Sequence, residues 1–393
     1  MLERVLKELV DRKDPMLAEI ERLCMVCSYT EHAAGGRIVG DLLAEQCAAI
    51  PSLVARRIES AHHHYAPHWI FSTKSAEQSP EGAIAIVGHL DTVFPPGTFE
   101  GFRYDGTIAR GPGVLDMKGG LVVAIEALRA LDRAGVLHDM KVILAVVSDE
   151  EVGSPEGRPL LQRELAGASC ALVLEAGRKG DAIITSRKGT AGVKAIAHGK
   201  AAHAGNARKE GANAIWALAK FVDAAQALTD YERGITVNVG KFTGGQGKNT
   251  VPDSAEALLD FRFVTTESGA QTMTKLQEAA EQAACAVAGT RLELTGGIAR
   301  TPLERTDENV KLYNEYAACA LAAGLGNGES ALVGGGSDAS STSAIGIPSI
   351  DGLGPRGSGF HTKEELIEVA TLVPKAEAIA RFIVGRATKH TAN

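Results

Sequence analysis

The sequence predicts an α/β protein built on a mixed sheet, with a smaller α+β domain inserted into it. Near the N-terminus, short apolar runs alternate with helical patterns, as expected of strands joined by helices in a largely parallel sheet. The pattern changes near residue 186, and the first pattern returns after about residue 298. We therefore predict a larger domain from residues 1–185 and 298–393, interrupted by a smaller domain at 186–297.

The N-terminal part supplies the central strands of the larger domain. The runs at 82–88, 141–147 and 170–174 are short and almost wholly apolar. Such runs are typical of strands that are buried on both faces by helices. Between the first two runs, residues 117–135 repeat apolar side chains at helical spacing and end at Gly135. The larger domain is therefore expected to carry helices on both faces of its sheet.

The inserted domain follows a different order of elements. Alternating strand patterns and two helical patterns succeed one another between residues 186 and 297 as β-α-β-β-α-β. This is the order of a ferredoxin-like unit. Such a sheet has an exposed edge strand, and an exposed edge can pair with a second copy of the chain. We therefore predict a homodimer that forms through the inserted domain.

Composition excludes several classes of protein. Of the 393 residues, 45% are hydrophobic and 23% are charged, which is typical of a soluble globular protein. The net charge of −7 and the lack of a basic run argue against a nucleic-acid partner. No apolar run is long enough to span a membrane, and the N-terminus does not follow the pattern of a signal peptide. The six cysteines have no disulfide-framework spacing, so a cytoplasmic location is expected.

Polar residues follow the predicted strands directly. His89 and Asp91 come after the first run, and Glu150 and Glu151 come after the second. Glu175 follows the third run. Because the carboxyl ends of parallel strands meet at one edge of a sheet, these side chains should converge. Glu150 and Glu151 point in different directions at a strand end, so one can bind a metal while the other acts as a general base.

Two further residues complete the candidate cluster. Asp116 lies in the glycine-rich segment GPGVLDMKGG, and His361 lies near the C-terminus. Imidazoles and carboxylates together suit a pair of divalent metals bound through nitrogen and oxygen. Each residue alone also has an ordinary interpretation. His89 with Asp91 fits a surface pair, Asp116 fits a helix N-cap, and a lone acid such as Glu175 is often structural.

The inserted domain and a late glycine-rich turn contain other polar candidates. His203 lies in GKAAHAG, and Asn249 lies in GGQGKNTVP. Arg262 lies in a strand pattern between two phenylalanines and faces away from them, where an arginine can bind a substrate carboxylate through two hydrogen bonds. Gly335 and Gly336 belong to GGGSDAS, which lacks the pattern of a phosphate-binding loop and is interpreted as a tight turn near the site.

Taken in order along the chain, these segments resemble the co-catalytic zinc aminoacylase/carboxypeptidase family of metallopeptidases. The matching segments are GHLDTV, GPGVLDMKGG, SDEEVGS, the end of the Glu175 strand, GKAAHAG, GGGSDAS and the late His361. The resemblance covers nearly the whole chain. It implies a catalytic domain that binds two zinc ions, with an inserted lid and dimerisation domain. Cobalt or manganese would fit the same ligands.

The resemblance also implies a role for each metal ligand. His89 and Glu175 would bind one ion. Glu151 and His361 would bind the other, and Asp116 would bridge the two. The peptide bond after Asp116 is expected to be cis, as it often is in the family.

Further roles follow from the same resemblance. Asp91 would orient His89, and Glu150 would act as general base and acid. His203 would reach the active site of the partner subunit and polarise the scissile carbonyl. Arg262 and Asn249 would bind the free carboxylate of the substrate, with help from the turn at Gly335 and Gly336.

The resemblance leaves the substrate open. GHLDTVFPPGTF, GPGV and the surroundings of His361 are most similar to the glutamate carboxypeptidase branch, which implies release of a C-terminal amino acid from a peptide or N-acyl group. SRKGTAG at 186–192 is closer to the deacylases that act on acetylornithine or succinyl-diaminopimelate. A catalytically silent metal-binding dimer would lack the base or a ligand, whereas this sequence has both. A metal-independent hydrolase is disfavoured because no GxSxG motif occurs.

Overall fold

A computed structural model describes residues 1–390 of the chain, which divide into two compact units. The larger unit comprises residues 1–186, 305–332 and the chain from 337 onward. The smaller unit comprises residues 187–304 and 333–336. The larger unit is thus discontinuous in sequence, and the smaller one is inserted into it.

Sixteen strands and eleven α-helices make up the regular structure of the described residues. The strands are β1 Leu53–Ile58, β2 His68–Thr73, β3 Ile84–His89, β4 Arg103–Tyr104, β5 Ile108–Arg110, β6 Val142–Val147, β7 Cys170–Val173, β8 Gly189–His198, β9 Ala202–His203, β10 Thr236–Gly244, β11 Thr250–Val251, β12 Ser254–Phe263, β13 Arg291–Arg300, β14 Ser349–Ile350, β15 Gly357–Ser358 and β16 Leu366–Glu368. The helices are α1 Leu2–Glu8, α2 Lys13–Cys24, α3 Ala33–Ala48, α4 Lys74–Gln78, α5 Gly119–Arg133, α6 Gly157–Glu164, α7 Ala214–Gln226, α8 Thr266–Cys285, α9 Asp307–Ala322, α10 Ala339–Ser343 and α11 Leu372–His390.

The main sheet of the larger unit has six strands in the order β1-β2-β6-β3-β7-β14. Strands β6, β3, β7 and β14 run parallel to one another, whereas β1 and β2 pair antiparallel at one side. Every residue of β3, β6 and β7 is buried. Because successive side chains point to opposite faces, both faces of the sheet are covered. The predicted mixed α/β sheet is therefore confirmed.

The smaller unit has an antiparallel sheet in the order β10-β12-β8-β13, with helices α7 and α8 packed on it. Its elements follow one another as β8-α7-β10-β12-α8-β13. Strand β12 alternates strictly, so that Phe261 and Phe263 enter the core and Arg262 between them faces outward. This is the predicted ferredoxin-like arrangement.

None of the helices within residues 1–390 combines the length and apolar character that crossing a bilayer requires.

Candidate metal centre

Three strands of the main sheet carry candidate ligands at their carboxyl ends. His89 is the last residue of β3, and Glu175 follows β7 by two residues. Glu150 and Glu151 lie in a single 3-10 turn that begins three residues after β6. Strands β6, β3 and β7 are adjacent and parallel, so their carboxyl ends lie side by side. The order of strands therefore brings the four side chains to one edge of the sheet.

Asp116 reaches this edge from an irregular segment. Residues Val114–Lys118 form a wide turn in which Asp116 and Met117 leave helical geometry, and the peptide bond between these two residues is cis. Helix α5 begins directly afterwards, at Gly119. The turn starts at Gly113, whose φ of 74° lies in the left-handed region that favours glycine.

The two carboxylate oxygens of Asp116 face two different histidines. Oδ1 lies 3.3 Å from Nε2 of His89, and Oδ2 lies 3.2 Å from Nε2 of His361. Glu175 Oε1 lies 3.8 Å from the His89 nitrogen, and Glu151 Oε2 lies 3.1 Å from the His361 nitrogen. Asp116 therefore stands between two matching sets, each consisting of one histidine and one glutamate.

Asp91 supports both sides of this arrangement. Its backbone carbonyl lies 3.0 Å from Nδ1 of His89, and its carboxylate Oδ1 lies 3.4 Å from the same nitrogen. The carboxylate also accepts hydrogen bonds from the backbone N–H groups of Glu150 and Glu151, both at 3.2 Å, and from the Thr30 hydroxyl at 2.7 Å. Asp91 thus orients the imidazole and also fixes the turn that carries the two glutamates.

Glu150 belongs to the same cluster. Single ligand atoms of His89, Glu150 and Glu175 lie within 4.8 Å of one another, as do those of His89, Asp116 and Glu151. Glu150 is thus close to the cluster, while its neighbour Glu151 contacts His361.

The side chains of the cluster lie so close together that they shift one another's pKa values. Burial, followed by the nearby charge of Asp116, raises the pKa of Glu175 well above its usual range. Burial also raises the pKa of Glu151. Burial opposes protonation of His89, but the adjacent carboxylates of Asp116 and Asp91 outweigh it and raise the pKa of that imidazole. Hydrogen bonds to Asp116 and Glu151 raise the pKa of His361 to about 10. Buried carboxylates and imidazoles of this kind are a set of charges that bound divalent cations would balance.

Two buried atoms at the centre of the cluster indicate that a metal fits there. His89 Nε2 and Asp116 Oδ1 are inaccessible to solvent, and neither has a hydrogen-bond partner among the described residues. Buried polar atoms normally have partners, and an imidazole nitrogen beside carboxylate oxygens is a ligand set that zinc accepts. The residues present fit two divalent ions that share Asp116.

His361 differs from the other ligands in how it is positioned. It lies in the loop between β15 and β16 with a φ of 63°, and its side chain is 49% exposed. The Phe360 ring packs edge-on against the His361 ring, and the Arg178 guanidinium lies 5.5 Å from the centre of the Phe360 ring. The imidazole thus lies on a loop, in contact with Phe360, Asp116 and Glu151.

His203 and Asn249 lie together in the smaller unit. His203 ends the short strand β9, which pairs with β11 opposite Thr250, and the Ala204 N–H donates to the Asn249 carbonyl at 2.9 Å. Nδ1 of His203 accepts hydrogen bonds from the backbone N–H groups of Gly205 and Asn206 at 3.2 and 3.1 Å. An accepting Nδ1 requires the ring proton to be on Nε2, which makes Nε2 a hydrogen-bond donor.

Arg262 and the glycine turn also lie in the smaller unit. Arg262 faces away from the core, as the alternation predicts, and forms two hydrogen bonds of 2.8 Å with the carboxylate of Asp260. Binding a substrate carboxylate would require Arg262 to share or exchange this partner. The Gly335 carbonyl accepts a hydrogen bond from buried Arg187, and Gly336 packs so closely against Arg300 that a side chain would clash with it.

Two acidic residues that sequence reasoning missed support the ligand loops. Asp338, in GGGSDAS, accepts hydrogen bonds from the hydroxyls of Ser154 and Ser341 at 2.7 and 3.0 Å. Ser154 directly follows the turn that carries Glu151. Glu365 accepts hydrogen bonds from the segment that carries Asp116. Both acids act through contacts between residues distant in sequence, so no local pattern could have indicated them.

Comparison with known proteins agrees with this geometry. Residues 185–286 match the peptidase dimerisation domain of the M20 family. Residues 70–227 match peptidase family M28. The chain is 30% identical to carboxypeptidase G2 of a Pseudomonas species over 305 residues, which cover 77% of this chain and 73% of the relative. The chain belongs to the M20 peptidase family. This confirms the predicted family and makes the chain a metallopeptidase or amidohydrolase by descent.

Other proteins similar to this chain are named for different reactions. The chain is 30% identical over 209 residues to acetylornithine deacetylase of Myxococcus xanthus, covering 49% of this chain and 53% of that one. The structure of aminopeptidase PepT from Bacillus cereus superposes with a TM-score of 0.78 at 25% identity, covering 95% of this chain and 99% of that one. The family membership thus fixes the class of reaction more firmly than the substrate.

Proposed function

We propose that this M20 peptidase hydrolyses an amide bond next to a free carboxylate and releases a C-terminal amino acid, as a glutamate-carboxypeptidase-like exopeptidase. The observation that carries the proposal is the position of Asp116, whose two oxygens face His89 and His361 at 3.3 and 3.2 Å. This arrangement suits two ions that share one carboxylate. The similarity to carboxypeptidase G2 over most of both chains favours the exopeptidase branch.

The proposed ligands divide into two sets. His89 and Glu175 would hold one ion and His361 and Glu151 the other, with Asp116 available to both. Zinc is the proposed metal because it accepts imidazole and carboxylate equally, and cobalt and manganese are the alternatives. When bound, such a pair of ions acidifies water and polarises a carbonyl oxygen.

Residues of the chain supply the remaining chemistry. Glu150 accepts a proton from the attacking water and passes it to the leaving nitrogen. His203, with its proton on Nε2, donates a hydrogen bond to the carbonyl oxygen as negative charge develops there, a contribution typically worth about 3–4 kcal/mol. In this proposal His203 serves the active site of the partner subunit.

Binding of the substrate carboxylate is assigned to the smaller unit. Arg262 and Asn249 bind the carboxylate, and the turn at Gly335 and Gly336 assists. Two buried arginines, Arg187 and Arg300, contact these glycines. A free carboxylate next to the scissile bond is therefore the feature that we expect every substrate to share.

The smaller unit is also the proposed dimerisation surface. Its match to the peptidase dimerisation domain supports this, and β10 and β13 are the outer strands of its sheet. Sedimentation should give a particle of twice the chain mass of 41.1 kDa. A particle with the mass of one chain would exclude a role for His203 in a partner's site.

A substrate panel tests the reaction. Zinc-loaded and cobalt-loaded protein should release the C-terminal residue from benzoyl-glutamate, folyl-type glutamates and dipeptides, and a chelator should abolish the activity. Preference for acetylornithine or succinyl-diaminopimelate would instead support an N-acyl-amino-acid deacylase, which the partial match to acetylornithine deacetylase favours. Peptides with a free N-terminus belong in the panel because of the structural similarity to aminopeptidase PepT.

Glu150→Gln tests the assigned base. The amide retains the size of the side chain but cannot accept the proton, so kcat should fall about 10²–10⁴-fold while bound metal remains at the wild-type level. Steady-state kinetics and elemental analysis measure the two effects separately. The exposed Glu364→Gln is the matched control and should behave as wild type. Near-normal turnover of Glu150→Gln would remove Glu150 from the mechanism.

A further inference from the structure

A single buried carboxylate receives three backbone hydrogen bonds from the segment that carries the bridging ligand. Glu365 is 0% exposed. Its Oε1 accepts from the N–H groups of Leu115 and Asp116 at 2.8 and 2.9 Å, and its Oε2 accepts from the Gly113 N–H at 3.0 Å. The side chain therefore binds the turn at three points, and one of them is the backbone of Asp116 itself.

The turn requires an external acceptor because of its conformation. Gly113 has a positive φ, and Asp116 has φ and ψ of −120° and 89°, so three N–H groups converge on one point instead of entering a helix. These groups lie in a buried region, where an unpaired N–H is costly. Only an acidic side chain offers acceptors on both of its oxygens, which is what three converging donors need.

Glu365 also connects two ligand segments. It lies four residues after His361 and directly precedes β16, which pairs antiparallel with β5 from Leu366 opposite Arg110. The chain leaving β5 leads within three residues to Gly113. The pairing of β5 with β16 and the Glu365 hydrogen bonds therefore join the His361 loop to the Asp116 turn.

We propose that Glu365 is a positioning residue that fixes the distance between Asp116 and His361, and thereby sets the affinity for the ion that these two residues share. It touches neither substrate nor metal, and acts through the backbone of Asp116. The inference rests on the proposed function only in assuming that the cluster binds metal.

Zinc binding by full-length Glu365→Gln tests this role. The amide replaces one acceptor oxygen by a donor that faces backbone N–H groups, so the turn should relax. We expect half-filling of the site to need about 10–100-fold more free zinc than in wild type, as is common when a residue supporting a ligand is changed. Elemental analysis after dialysis against buffered zinc measures this. Glu364→Gln, one residue away and exposed, should bind zinc as wild type does.

A second measurement separates positioning from general stability. The unfolding midpoint in EDTA should fall because a buried backbone N–H loses its acceptor, but the midpoint in zinc should fall further because the variant binds the ion more weakly. Excess zinc should restore kcat with KM unchanged. An EDTA midpoint lowered as much as the zinc-loaded midpoint would overturn the proposal, and so would wild-type zinc affinity. If Glu365→Gln does not fold, the same zinc titration of Glu365→Asp decides between weakened and unchanged affinity.

The failure of this inference can be distinguished from failure of the proposed function. Wild-type protein that binds no zinc would contradict the proposed function. Wild-type protein that binds two zinc ions, with Glu365→Gln and Glu365→Asp binding them equally well, would contradict only the role of Glu365.

Discussion

The two halves of the candidate metal centre use the same residue types but hold them differently. His89 ends a strand in the interior of the sheet, its side chain is 1% exposed, and Asp91 contacts its second nitrogen. His361 lies on a loop and is 49% exposed, with an aromatic ring as its packed neighbour. The two halves therefore differ in their histidines, because His89 is buried at the end of a strand and His361 is half-exposed on a loop. Both glutamates are nearly buried, with 10% of Glu175 and 6% of Glu151 exposed.

Two sites with the same types of ligand therefore need not bind a metal ion with the same affinity. A ligand held by strand geometry and a supporting hydrogen bond loses little freedom when a metal binds, whereas a loop ligand must be ordered first. We expect the His89 half to retain its ion longer than the His361 half during dialysis against a chelator. Asp116 belongs to both halves, so changing it should remove the distinction.

The largest effect is expected for Asp116→Ala. Both halves lose a ligand at once, and the remaining carboxylates repel one another without a shared cation. Activity should fall about 10³-fold or more, since a metal pair contributes several kcal/mol of transition-state stabilisation, and neither ion should survive dialysis. Elemental analysis and initial rates measure the two losses. Asp139→Ala, on the exposed surface, is the control. Retention of one ion by Asp116→Ala would show that the halves are independent.

A smaller and unequal effect is expected from the two histidines. His361→Asn should keep the ion of the His89 half and lose the other. His89→Asn should weaken both, because Asp91, which contacts His89, also accepts a hydrogen bond from the backbone of Glu151 in the other half. Titration with zinc, followed by mass spectrometry under native conditions, should show one retained ion for His361→Asn. Equal losses in the two variants would contradict the comparison between the buried and the exposed histidine.

The smallest effect concerns the pH dependence of the metal-free protein. Hydrogen bonds to Asp116 and Glu151 raise the pKa of His361 from 6.5 in the unfolded chain to about 10 in the folded one. A raised pKa stabilises the fold below pH 6.5, and this contribution is lost as the pH rises through about 10. In EDTA, wild type should therefore unfold a few degrees above His361→Asn at pH 6, and the difference should disappear near pH 10. A difference that grows with pH would contradict the imidazolium contacts.

Three of the candidate ligands could be predicted because they lie at or just after the ends of predicted strands. His89, Glu151 and Glu175 each follow an apolar run, and parallel strands in one sheet place such residues together. Neither Asp116 nor His361 ends a strand of the main sheet. Residue type made both candidates for the cluster, and the resemblance of their segments implied their roles. Asp91 was predicted to orient His89. Its hydrogen bonds to the backbone of the Glu150–Glu151 turn could not be predicted, because they depend on how that turn folds back.

In the smaller unit, sequence patterns predict the direction of side chains but not their hydrogen-bond partners. Alternation along β12 correctly predicts that Arg262 faces away from Phe261 and Phe263. The pattern does not indicate that Arg262 already has Asp260 as a bidentate partner, because two outward residues at i and i+2 share a face but need not pair. For His203, the sequence indicated a candidate, and the turn geometry decides which ring nitrogen carries the proton.

Hydrophobic periodicity predicted the fold class, and the order of the motifs along the chain predicted the family. The same motifs supplied the candidate ligands, because residue type is a local property of the chain. The three-dimensional fold determines which oxygen of Asp116 faces which histidine and how deeply each histidine is buried. It also brings Glu365 to the Asp116 turn. Sequence patterns cannot show these contacts because the residues are far apart along the chain. Glu365 lies 249 residues from Asp116, so their contact exists only after the β5–β16 pairing and the sheet have formed.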